Sequence, residues 1–412
     1  MIAATGALDA SYTPAFPGLK SFKGQMYHTA RWPKEEIDFT GKRVGQIGNG
    51  STGIQVATTV AKTAGQLYVF QRTPAFTIAA RNRPLDPEYE REWKNNYPQR
   101  RANARQHPQL AYNAGVSRGS IFDYTPAEQQ RILEEAWNAR SGLMFMKTFS
   151  DITTSLQANE IAAEFVRNKI RGIVNDTNIA ELLCPKIYPI GAKRICMDTG
   201  YFEIFNQSNV KLIDVHTNPI VEFVPEGIRT TNAEYGLDII IMATGFDAMT
   251  GALTRMNVTG VGGIDLREKW ADRPTNFLGF LVAGFPNLFM IHGPGSPAAL
   301  AQMIAGGEWQ VDWVAKFIEN MEAEGYQTVD TAPEWEDRWA DEMQEAMAPT
   351  LYTKVDSWYN GANVEGKKKN VMIYIGGFNR YANRCDEQVS KGHEGFLFDK
   401  QPAAATEAGV IA

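Results

Sequence analysis

The residues best suited to chemistry in this sequence form a glycine-rich turn between two segments of different periodicity. A short apolar run at 44–47 precedes the turn, and helical spacing follows it at 54–62. In a G-x-G-x-x-G turn, the first glycine allows the tight bend, the second lets backbone amides approach a pyrophosphate, and the third lets helix and strand pack closely. The phosphates then lie at the positive end of the helix. The sequence therefore predicts a dinucleotide site formed by Gly48, Asn49, Gly50, Ser51, Thr52, Gly53 and Gln55.

The residues after the next apolar run indicate which dinucleotide fits. A second predicted strand at 66–70 is followed by Gln71, Arg72 and Thr73. An NAD site places Asp or Glu there to bind the ribose 2′-hydroxyl, and this chain has neither. The planar guanidinium of Arg72 is instead suited to a 2′-phosphate. We therefore expect NADPH. A tight loop without a ligand is the alternative, and the ordered strand, turn, helix and strand argue against it.

The elements that must position this turn alternate in type along the chain. Further strand-like segments occur at 209–215, 220–224 and 237–243, so the sequence predicts an α/β protein. Between the predicted strands at 66–70 and 209–215, residues 86–190 lack strand alternation and contain long amphipathic segments, which predicts a helical insertion. Later segments predict two strands at 277–283 and 288–292 and an acidic helix at 334–347 with a solvated face.

Length, charge and cysteine content limit the class of protein. A chain of 412 residues is long enough for two or three cores. Its net charge of −6 provides no basic field for nucleic acid or an anionic membrane. The three cysteines form no C-x-x-C pair and the five histidines no H-E-x-x-H pattern, so we expect neither disulfides nor a metal site. A reducing, cytoplasmic environment fits this cysteine usage.

The sequence contains no run of eighteen apolar residues and no charged N-terminal region followed by an apolar stretch. We therefore expect neither a membrane span nor a signal peptide.

Three further side chains have two possible interpretations from residue type alone. His28 lies between Tyr27 and Trp32, where it could be a hydrogen-bonded packing residue or could couple two domains. Lys193 and Arg194 could be surface charges or could bind anions. Trp358 could be a core aromatic residue or part of a loop over a ligand.

The residues around His28 also match a longer pattern. Phe22, Gly24, His28, Trp32 and Pro33 fit F-x-G-x-x-x-H-x-x-x-W-P directly before the glycine turn. This pattern resembles the fingerprint of the Baeyer–Villiger monooxygenases, and within that family the likeness is to the cyclohexanone monooxygenase type. It extends over essentially the whole chain, in blocks at 71–74, 81–89, 192–202, 238–247, 284–289 and 357–367.

The resemblance implies roles for individual residues. Arg194 matches the arginine that faces the flavin and stabilises the anionic species formed during oxygen transfer. Lys193 matches the lysine that contacts the 2′-phosphate together with Arg72 and Thr73. The remaining matches are Thr244 and Gly245 at a crossing between two domains, and Trp358 in a mobile loop that covers NADP.

The resemblance also implies an organisation of two Rossmann-like dinucleotide-binding domains, one for FAD and one for NADPH. It divides the chain into 1–34 as part of the FAD domain and linker, 35–85 with 191–245 as the NADPH domain, 86–190 as the helical insertion, 246–401 as the C-terminal part of the FAD domain, and 402–412 as a disordered tail. The family's first glycine-rich turn, for the ADP part of FAD, has no counterpart here, because Gly48–Gly53 occupies the NADPH position. We therefore expect the FAD domain to be truncated at its N-terminus.

The implied function is an FAD- and NADPH-dependent oxygenation that inserts one oxygen atom of O2 beside the carbonyl of a small-molecule ketone to yield an ester or lactone. An N- or S-oxygenating flavin monooxygenase is the first alternative, although the Trp32-Pro33 ending favours the Baeyer–Villiger interpretation. A catalytically incomplete NADP-binding fragment is the second. No oligomeric state is assigned.

Overall fold

The computed structural model describes residues 1–110, 117–138, 142–362, 364 and 366–400, so the predicted disordered tail at 402–412 lies outside the described residues. The strands are β1 Ile2–Ala3, β2 Gln25–His28, β3 Arg43–Ile47, β4 Gln66–Gln71, β5 Thr77–Ala79, β6 Cys196–Asp198, β7 Val210–Asp214, β8 Ile220–Val224, β9 Gly227–Thr230, β10 Glu234–Gly236, β11 Ile239–Met242, β12 Phe289–Met290, β13 Tyr326–Thr331 and β14 Phe396–Lys400. The helices are α1 Ser51–Val60, α2 Pro87–Asn95, α3 Tyr97–Arg105, α4 Pro126–Trp137, α5 Leu156–Ile173, α6 Thr177–Leu183, α7 Gly251–Thr254, α8 Leu266–Lys269, α9 Met303–Ala323, α10 Pro333–Met347 and α11 Phe378–Ser390.

A five-stranded parallel sheet carries the glycine turn. Its strand order is β2-β11-β3-β4-β7, and every neighbouring pair is parallel. Parallel sheets are covered on both faces, which suits strands as apolar as β11, where all four residues are buried. Helix α1 packs on one face through Ile54, Ala57 and Val60. The predicted strand, turn, helix and strand around the glycines are confirmed.

Two strand assignments differ from the sequence-based expectation, and one expected strand belongs to a separate sheet. Gln25–His28, expected in a linker, is the edge strand β2 of the parallel sheet, paired with β11. β8 is a strand as expected, but it belongs to a separate antiparallel sheet with β9 and β10. The expected strand at 277–283 is wrong: an isolated bridge joins Phe277 and Leu281 within a tight turn. Apolar content alone predicted that strand, but Leu278 and Gly279 both have positive φ, which breaks extended pairing.

The predicted insertion at 86–190 is helical where the structure describes it. Both long amphipathic segments are helices, α4 and α5, and each begins at an N-cap hydroxyl, from Thr125 and Ser155 respectively. Phe145 and Phe165 stack at 5.8 Å within this insertion. Their apolar cluster is continuous with the buried residues of the parallel sheet, so the insertion and the sheet share one core.

The C-terminal half has its own aromatic core. Trp313 on α9 stacks on Phe280 at 4.7 Å, and Trp339 on α10 is fully buried. Helix α10 confirms the predicted acidic helix, with one exception to its solvated face. Glu336 is buried, pairs with Lys269 at 3.0 Å and accepts a hydrogen bond from the Ala283 backbone N–H.

The crowding at Gly24 gives a stability prediction. A Cβ atom at this position would lie 2.4 Å from the Phe22 ring and 2.5 Å from the Asp238 carbonyl oxygen. Gly24→Ala should therefore lower the free energy of unfolding by about 1–3 kcal/mol. Gly172→Ala is the matched control, because Gly172 lies in helix α5 with nothing within 4 Å of a new Cβ, and it should gain roughly 0.5–1 kcal/mol. Urea denaturation of both variants measures the difference. Equal effects of the two substitutions would contradict the crowding at Gly24.

Candidate functional site

The glycine turn is built from close contacts between backbones. Gly48 has φ 99°, and a Cβ there would lie 2.4 Å from the Ala243 carbonyl oxygen. A Cβ on Gly53 would lie 2.4 Å from the carbonyl oxygen of Gly48. At Gly50, in contrast, a Cβ would meet nothing within 4 Å, and this residue begins α1 without a side-chain cap. The free amides of the first turn of α1 therefore face open space, which is what a pyrophosphate requires.

Buried carboxamides hold this turn in place. The Asn49 side-chain amide donates to Gln71 Oε1 at 2.9 Å and to the Thr73 carbonyl at 3.0 Å. The Gln46 amide donates to the carbonyls of Gly48 and Gly53. Asn49 thus ties the turn to the end of β4, where the cofactor specificity residues lie.

Gln46 and Gln71 are functional residues that the sequence analysis missed. Both are buried polar side chains within apolar strands, and that placement is the signal that could have identified them. The three remaining predicted side chains of the turn, Ser51, Thr52 and Gln55, are exposed on α1 near its N-terminus.

Two cations lie at the end of β4. Arg72 is exposed, and the ammonium of Lys193 lies 5.0 Å from the centre of the Tyr188 ring. Burial lowers the pKa of Lys193 from its ordinary value of 10.5, the charge of Arg72 lowers it further, and Asp356 opposes the shift. Two like charges this close in a partly dry environment favour an anionic ligand. The structure thus brings together the two side chains expected to bind a 2′-phosphate, with Thr73 beside them.

Arg194 points away from that phosphate site. Its guanidinium is exposed, and Nη1 donates to the Ala299 carbonyl at 2.8 Å. The partly buried Tyr352 and the buried Tyr359 lie nearby, and burial raises the pKa of each phenol while the charge of Arg194 opposes the rise. Lys193 and Arg194 are adjacent in sequence, but their side chains contact different parts of the molecule.

His28 joins the sheet to the N-terminal segment. Its Nδ1 accepts a hydrogen bond from the Ala30 backbone N–H, so in the neutral ring Nε2 carries the proton. Nε2 lies 3.2 Å from the Tyr12 carbonyl and 3.3 Å from the Thr244 hydroxyl, and that hydroxyl donates to the same carbonyl at 2.6 Å. The Tyr12 N–H donates to Gly245. His28 and the Thr244-Gly245 crossing therefore form one hydrogen-bonded junction.

The other residues of the fingerprint support this junction by packing. The Phe22 side chain is partly buried beside the β8–β9 sheet, and Gly24 leaves room for its ring. Trp32 is exposed and contacts Tyr27 at 5.9 Å, with Pro33 next to it. The described contacts of Phe22 and Trp32 are packing contacts on either side of strand β2.

Trp358 lies on a loop next to Arg194. Its ring is partly buried and lies 4.3 Å from the ring of Tyr359. The loop begins at a capping box formed by Ser357 and Asn360. Lys367 anchors the following segment through an ion pair of 2.7 Å with Asp247, just after the Thr244-Gly245 crossing.

The fold and the glycine turn together define a Rossmann-type dinucleotide-binding protein, in which Lys193 lies near Arg72 while Arg194 is bonded to Ala299. Among the described residues, no group of three or more His, Cys, Asp or Glu side chains could hold a metal ion. In the part of the chain that the structure covers, no helix combines the length and apolar character needed to span a membrane.

Comparison with known proteins identifies the family. Residues 1–91 match a family model described as flavin-binding monooxygenase-like. A Baeyer-Villiger monooxygenase of Pseudooceanicola batsensis is 40% identical, covering 97% of this chain and 73% of that protein. Cyclohexanone 1,2-monooxygenase of an Acinetobacter species is 36% identical over 98% and 75% of the two chains. Phenazine N-monooxygenase PhzNO1 of Lysobacter antibioticus is also 36% identical, over 98% and 74%.

Solved structures agree with the sequence comparison. The closed crystal structure of a cyclohexanone monooxygenase superposes with a TM-score of 0.93 at 37% identity, over 97% of this chain and 74% of that one. The complex of OTEMO with FAD and NADP superposes with a TM-score of 0.92 at 35% identity, over 97% and 75%. The chain belongs to the Baeyer–Villiger monooxygenases, which are NADPH-dependent flavin enzymes.

Removing the Arg72 charge should change nucleotide preference. Arg72→Ala should weaken NADP+ binding about tenfold, because a charge-assisted hydrogen bond to the phosphate is lost, and should leave NAD+ binding unchanged. Lys62→Ala is the control, since Lys62 is an exposed lysine beyond the opposite end of α1. Isothermal titration calorimetry with both nucleotides measures the effect. An equal loss for NAD+ and NADP+ would contradict a phosphate-specific role.

The lowered pKa of Lys193 predicts a pH dependence of binding. If Lys193 holds the 2′-phosphate as expected, its protonated ammonium would bind the dianion, and the dianion would raise the lysine pKa in the complex. The extra affinity for NADP+ is therefore fully present below the pKa of Lys193 in the free protein, which is lower than 10.5. It declines as the pH rises toward the higher pKa that Lys193 has in the complex. NADP+ affinity should fall in the alkaline range while NAD+ affinity stays level. Lys193→Arg should remove this decline, and a persisting decline would exclude Lys193 as its source.

Proposed function

We propose that this chain catalyses the FAD- and NADPH-dependent conversion of small ketones, cyclic ones included, to esters or lactones with O2. The observation that carries the proposal is Arg194: an exposed guanidinium, anchored at Ala299, beside the loop that carries Trp358. Membership of the Baeyer–Villiger monooxygenases and the similarity to cyclohexanone 1,2-monooxygenase support the substrate class.

The NADPH half of the reaction is supported by a site that fits this nucleotide. The amides at the start of α1 are free to bind the pyrophosphate, and Gly50 leaves space for it. Arg72, Thr73 and Lys193 would hold the 2′-phosphate. The buried Gln71 at the end of β4 donates to the Leu182 carbonyl, so this position carries no negative charge to repel that phosphate.

The oxygenation half depends on charge stabilisation. When bound, the flavin activates O2 and supplies one oxygen atom to the carbonyl carbon. Negative charge then develops on the former carbonyl oxygen, and a guanidinium stays protonated at any working pH and donates in a fixed geometry to such an oxyanion. Arg194 is the residue we assign to this role. Its single backbone anchor leaves further N–H groups for the substrate.

The loop from Ser357 to Asn360 would exclude water from this cleft. Trp358 and Tyr359 pack against each other, and the capping box fixes their backbone. Excluding water strengthens the interaction between Arg194 and developing negative charge, because the local dielectric constant falls. We assign Trp358 to the cover over the nucleotide.

An N-oxygenating activity is the second candidate, and the similarity to a phenazine N-monooxygenase favours it. A nucleophilic amine needs no stabilised oxyanion on the substrate, whereas a ketone does, so the two activities differ in their need for Arg194. A nucleotide-binding chain without catalysis is the third candidate. Flavin retained after gel filtration with added FAD would argue against it.

We place the protein in a reducing compartment, the cytoplasm. Cys184, Cys196 and Cys385 are free and buried, and burial raises the pKa of the Cys184 and Cys196 thiols to about 11, which keeps them unreactive.

Arg194→Ala tests the proposed role directly. The variant should retain NADP+ affinity and lose ester formation by about 10²–10³-fold, the usual effect of removing one oxyanion donor. Arg255→Ala is the matched control, because Arg255 is exposed and also donates to a backbone carbonyl, that of Ser11, but lies outside the cleft. Gas chromatography of products from a cyclic ketone, with an aromatic N-heterocycle in parallel, gives both activities. Ester formation at the rate of the Arg255 variant would refute the role of Arg194.

A further inference from the structure

We propose that Lys367 is a positioning residue, which anchors the loop carrying Trp358 to the chain just after the domain crossing at Thr244 and Gly245. The proposal rests on the function assigned above, because it takes this loop to cover the nucleotide. Lys367 follows the loop in sequence, and its ammonium contacts residues 247–250, the crossing segment. One side chain therefore joins two segments that lie 120 residues apart along the chain.

The Lys367 ammonium has three oxygen partners, all in the crossing segment. It lies 2.7 Å from Asp247 Oδ1, 2.7 Å from the Thr250 hydroxyl oxygen and 3.4 Å from the Ala248 carbonyl oxygen. An ammonium has three N–H donors, so these three acceptors match its donors. The exposed side-chain fractions of the ion pair are only 19% for Lys367 and 23% for Asp247. Salt therefore screens this contact less than it screens a surface pair.

The two lysines that follow make ion pairs of a different kind. Lys368 pairs with Asp272, and the exposed side-chain fractions are 63% and 79%. Lys369 pairs with Asp356 at 2.8 Å, and the exposed fractions are 50% and 71%. Exposed pairs of this kind contribute little to stability, because water and salt screen them. Of these three consecutive lysines, Lys367 is therefore the one whose contact can hold a loop in place.

The crossing segment is itself held in position, so it can serve as an anchor. Its backbone makes two hydrogen bonds to the N-terminal stretch, from the Asp247 N–H to the Ala10 carbonyl at 2.8 Å and from the Met249 N–H to the Ala7 carbonyl at 2.9 Å. The same stretch leads to Tyr12, whose carbonyl oxygen contacts His28. The partners of Lys367 therefore belong to a segment that two backbone bonds keep in place.

The loop is docked through backbone hydrogen bonds to the residues after Lys367. The Asn370 N–H donates to the Asn360 carbonyl at 2.9 Å. The Met372 N–H donates to the Tyr359 carbonyl, also at 2.9 Å. Lys367 lies between the two bonded stretches along the chain, so its ion pair holds them together against the crossing segment. The two amides lose their acceptors when the loop leaves its docked position, and their exchange with solvent measures docking.

One buried apolar cluster extends from the loop to the residue before the Arg194 acceptor. It contains Tyr359 of the loop, Met249 of the crossing segment and Ala298. Ala298 has φ 38°, a strained conformation that persists only while its surroundings hold it. The next residue, Ala299, supplies the carbonyl that accepts a hydrogen bond from Arg194 Nη1 at 2.8 Å. Releasing the loop removes Tyr359 from the cluster, so Ala298 relaxes and the acceptor of Arg194 moves.

Hydrogen–deuterium exchange of the nucleotide-free protein tests this anchor without substrate or flavin. Lys367→Met keeps the length of the side chain and removes the ammonium. Exchange at the Asn370 and Met372 amides should accelerate about ten- to hundredfold, the usual effect of losing a hydrogen bond to a charged group. Lys368→Met is the matched control, because it removes the same charge from an exposed pair, and exchange should stay within about twofold of the unaltered protein.

Strand β11 is the internal reference for global stability, because all four of its residues are buried in the parallel sheet. Acceleration in β11 as large as at Asn370 and Met372 would overturn the proposal, since the substitution would then act on the whole fold. Exchange in Lys367→Met at the rate of Lys368→Met would also overturn it.

A second substitution tests the ion pair from its other side. Asp247→Asn keeps the shape of the partner and removes its charge, so it should also accelerate exchange at Asn370 and Met372. The double variant with Lys367→Met should be little faster than Lys367→Met alone, because both lack the same ion pair. Additive effects would mean that the two residues act separately, which contradicts the proposal.

Nucleotide release gives the functional readout. Lys367→Met should release NADP+ about tenfold faster in stopped-flow displacement, because the loop over the nucleotide opens more often. The ratio of NADP+ to NAD+ affinity should stay within about twofold, since Arg72 is unchanged. The fraction of NADPH oxidation that yields ester should fall, because the acceptor of Arg194 is displaced. NADP+ release at the rate of Lys368→Met would overturn the proposal.

Failure of this proposal is distinguishable from failure of the assigned function. If Arg194→Ala abolishes ester formation but Lys367→Met behaves like Lys368→Met, only the role of Lys367 is wrong. If Arg194→Ala retains ester formation while Lys367→Met loosens the loop, the assigned function is wrong and the anchoring by Lys367 stands.

Discussion

The close approach of three backbone segments at the end of β3 is the constraint on which the rest of the structure depends. Gly48 lies against the Ala243 carbonyl, and Gly53 lies against the Gly48 carbonyl, at separations that no side chain tolerates. This contact places the start of α1 next to the crossing at Thr244 and Gly245. It sets the relative positions of three features: the free amides of α1, the hydrogen bonds of His28, and the crossing into the second half of the chain.

The side chains of the consecutive residues Lys193 and Arg194 lie in different surroundings. Lys193 lies on the Tyr188 ring near Arg72, where partial burial and the second cation lower its pKa. Arg194 extends to the Ala299 carbonyl, where it remains exposed. The segment at 356–359 lies near both regions, because the charge of Asp356 acts on Lys193 and the charge of Arg194 acts on the Tyr359 phenol.

Local patterns were sufficient for much of the fold. The glycine spacing predicted the turn and helix α1, and the amphipathic pattern predicted the helices α4 and α5, because each of these signals acts within a few residues. The strand predicted at 277–283 was wrong, since a buried apolar run has the composition of a strand even where positive φ angles turn the chain back on itself. Strand β2 was missed for the opposite reason: its partly exposed side chains lack alternation, and only the partner β11 makes it a strand.

The sequence by itself determined the dinucleotide turn, the absence of an acidic residue after β4, and the family, because these depend on residue type at fixed spacing. It also singled out Arg72, Lys193 and Arg194 as candidates. Only the tertiary structure decided that Gln46 and Gln71 support the turn, that His28 shares an acceptor with Thr244, and that Arg194 donates to the Ala299 carbonyl. These pairs are separated by up to 216 residues along the chain, and the energy of each contact depends on burial that no local pattern encodes.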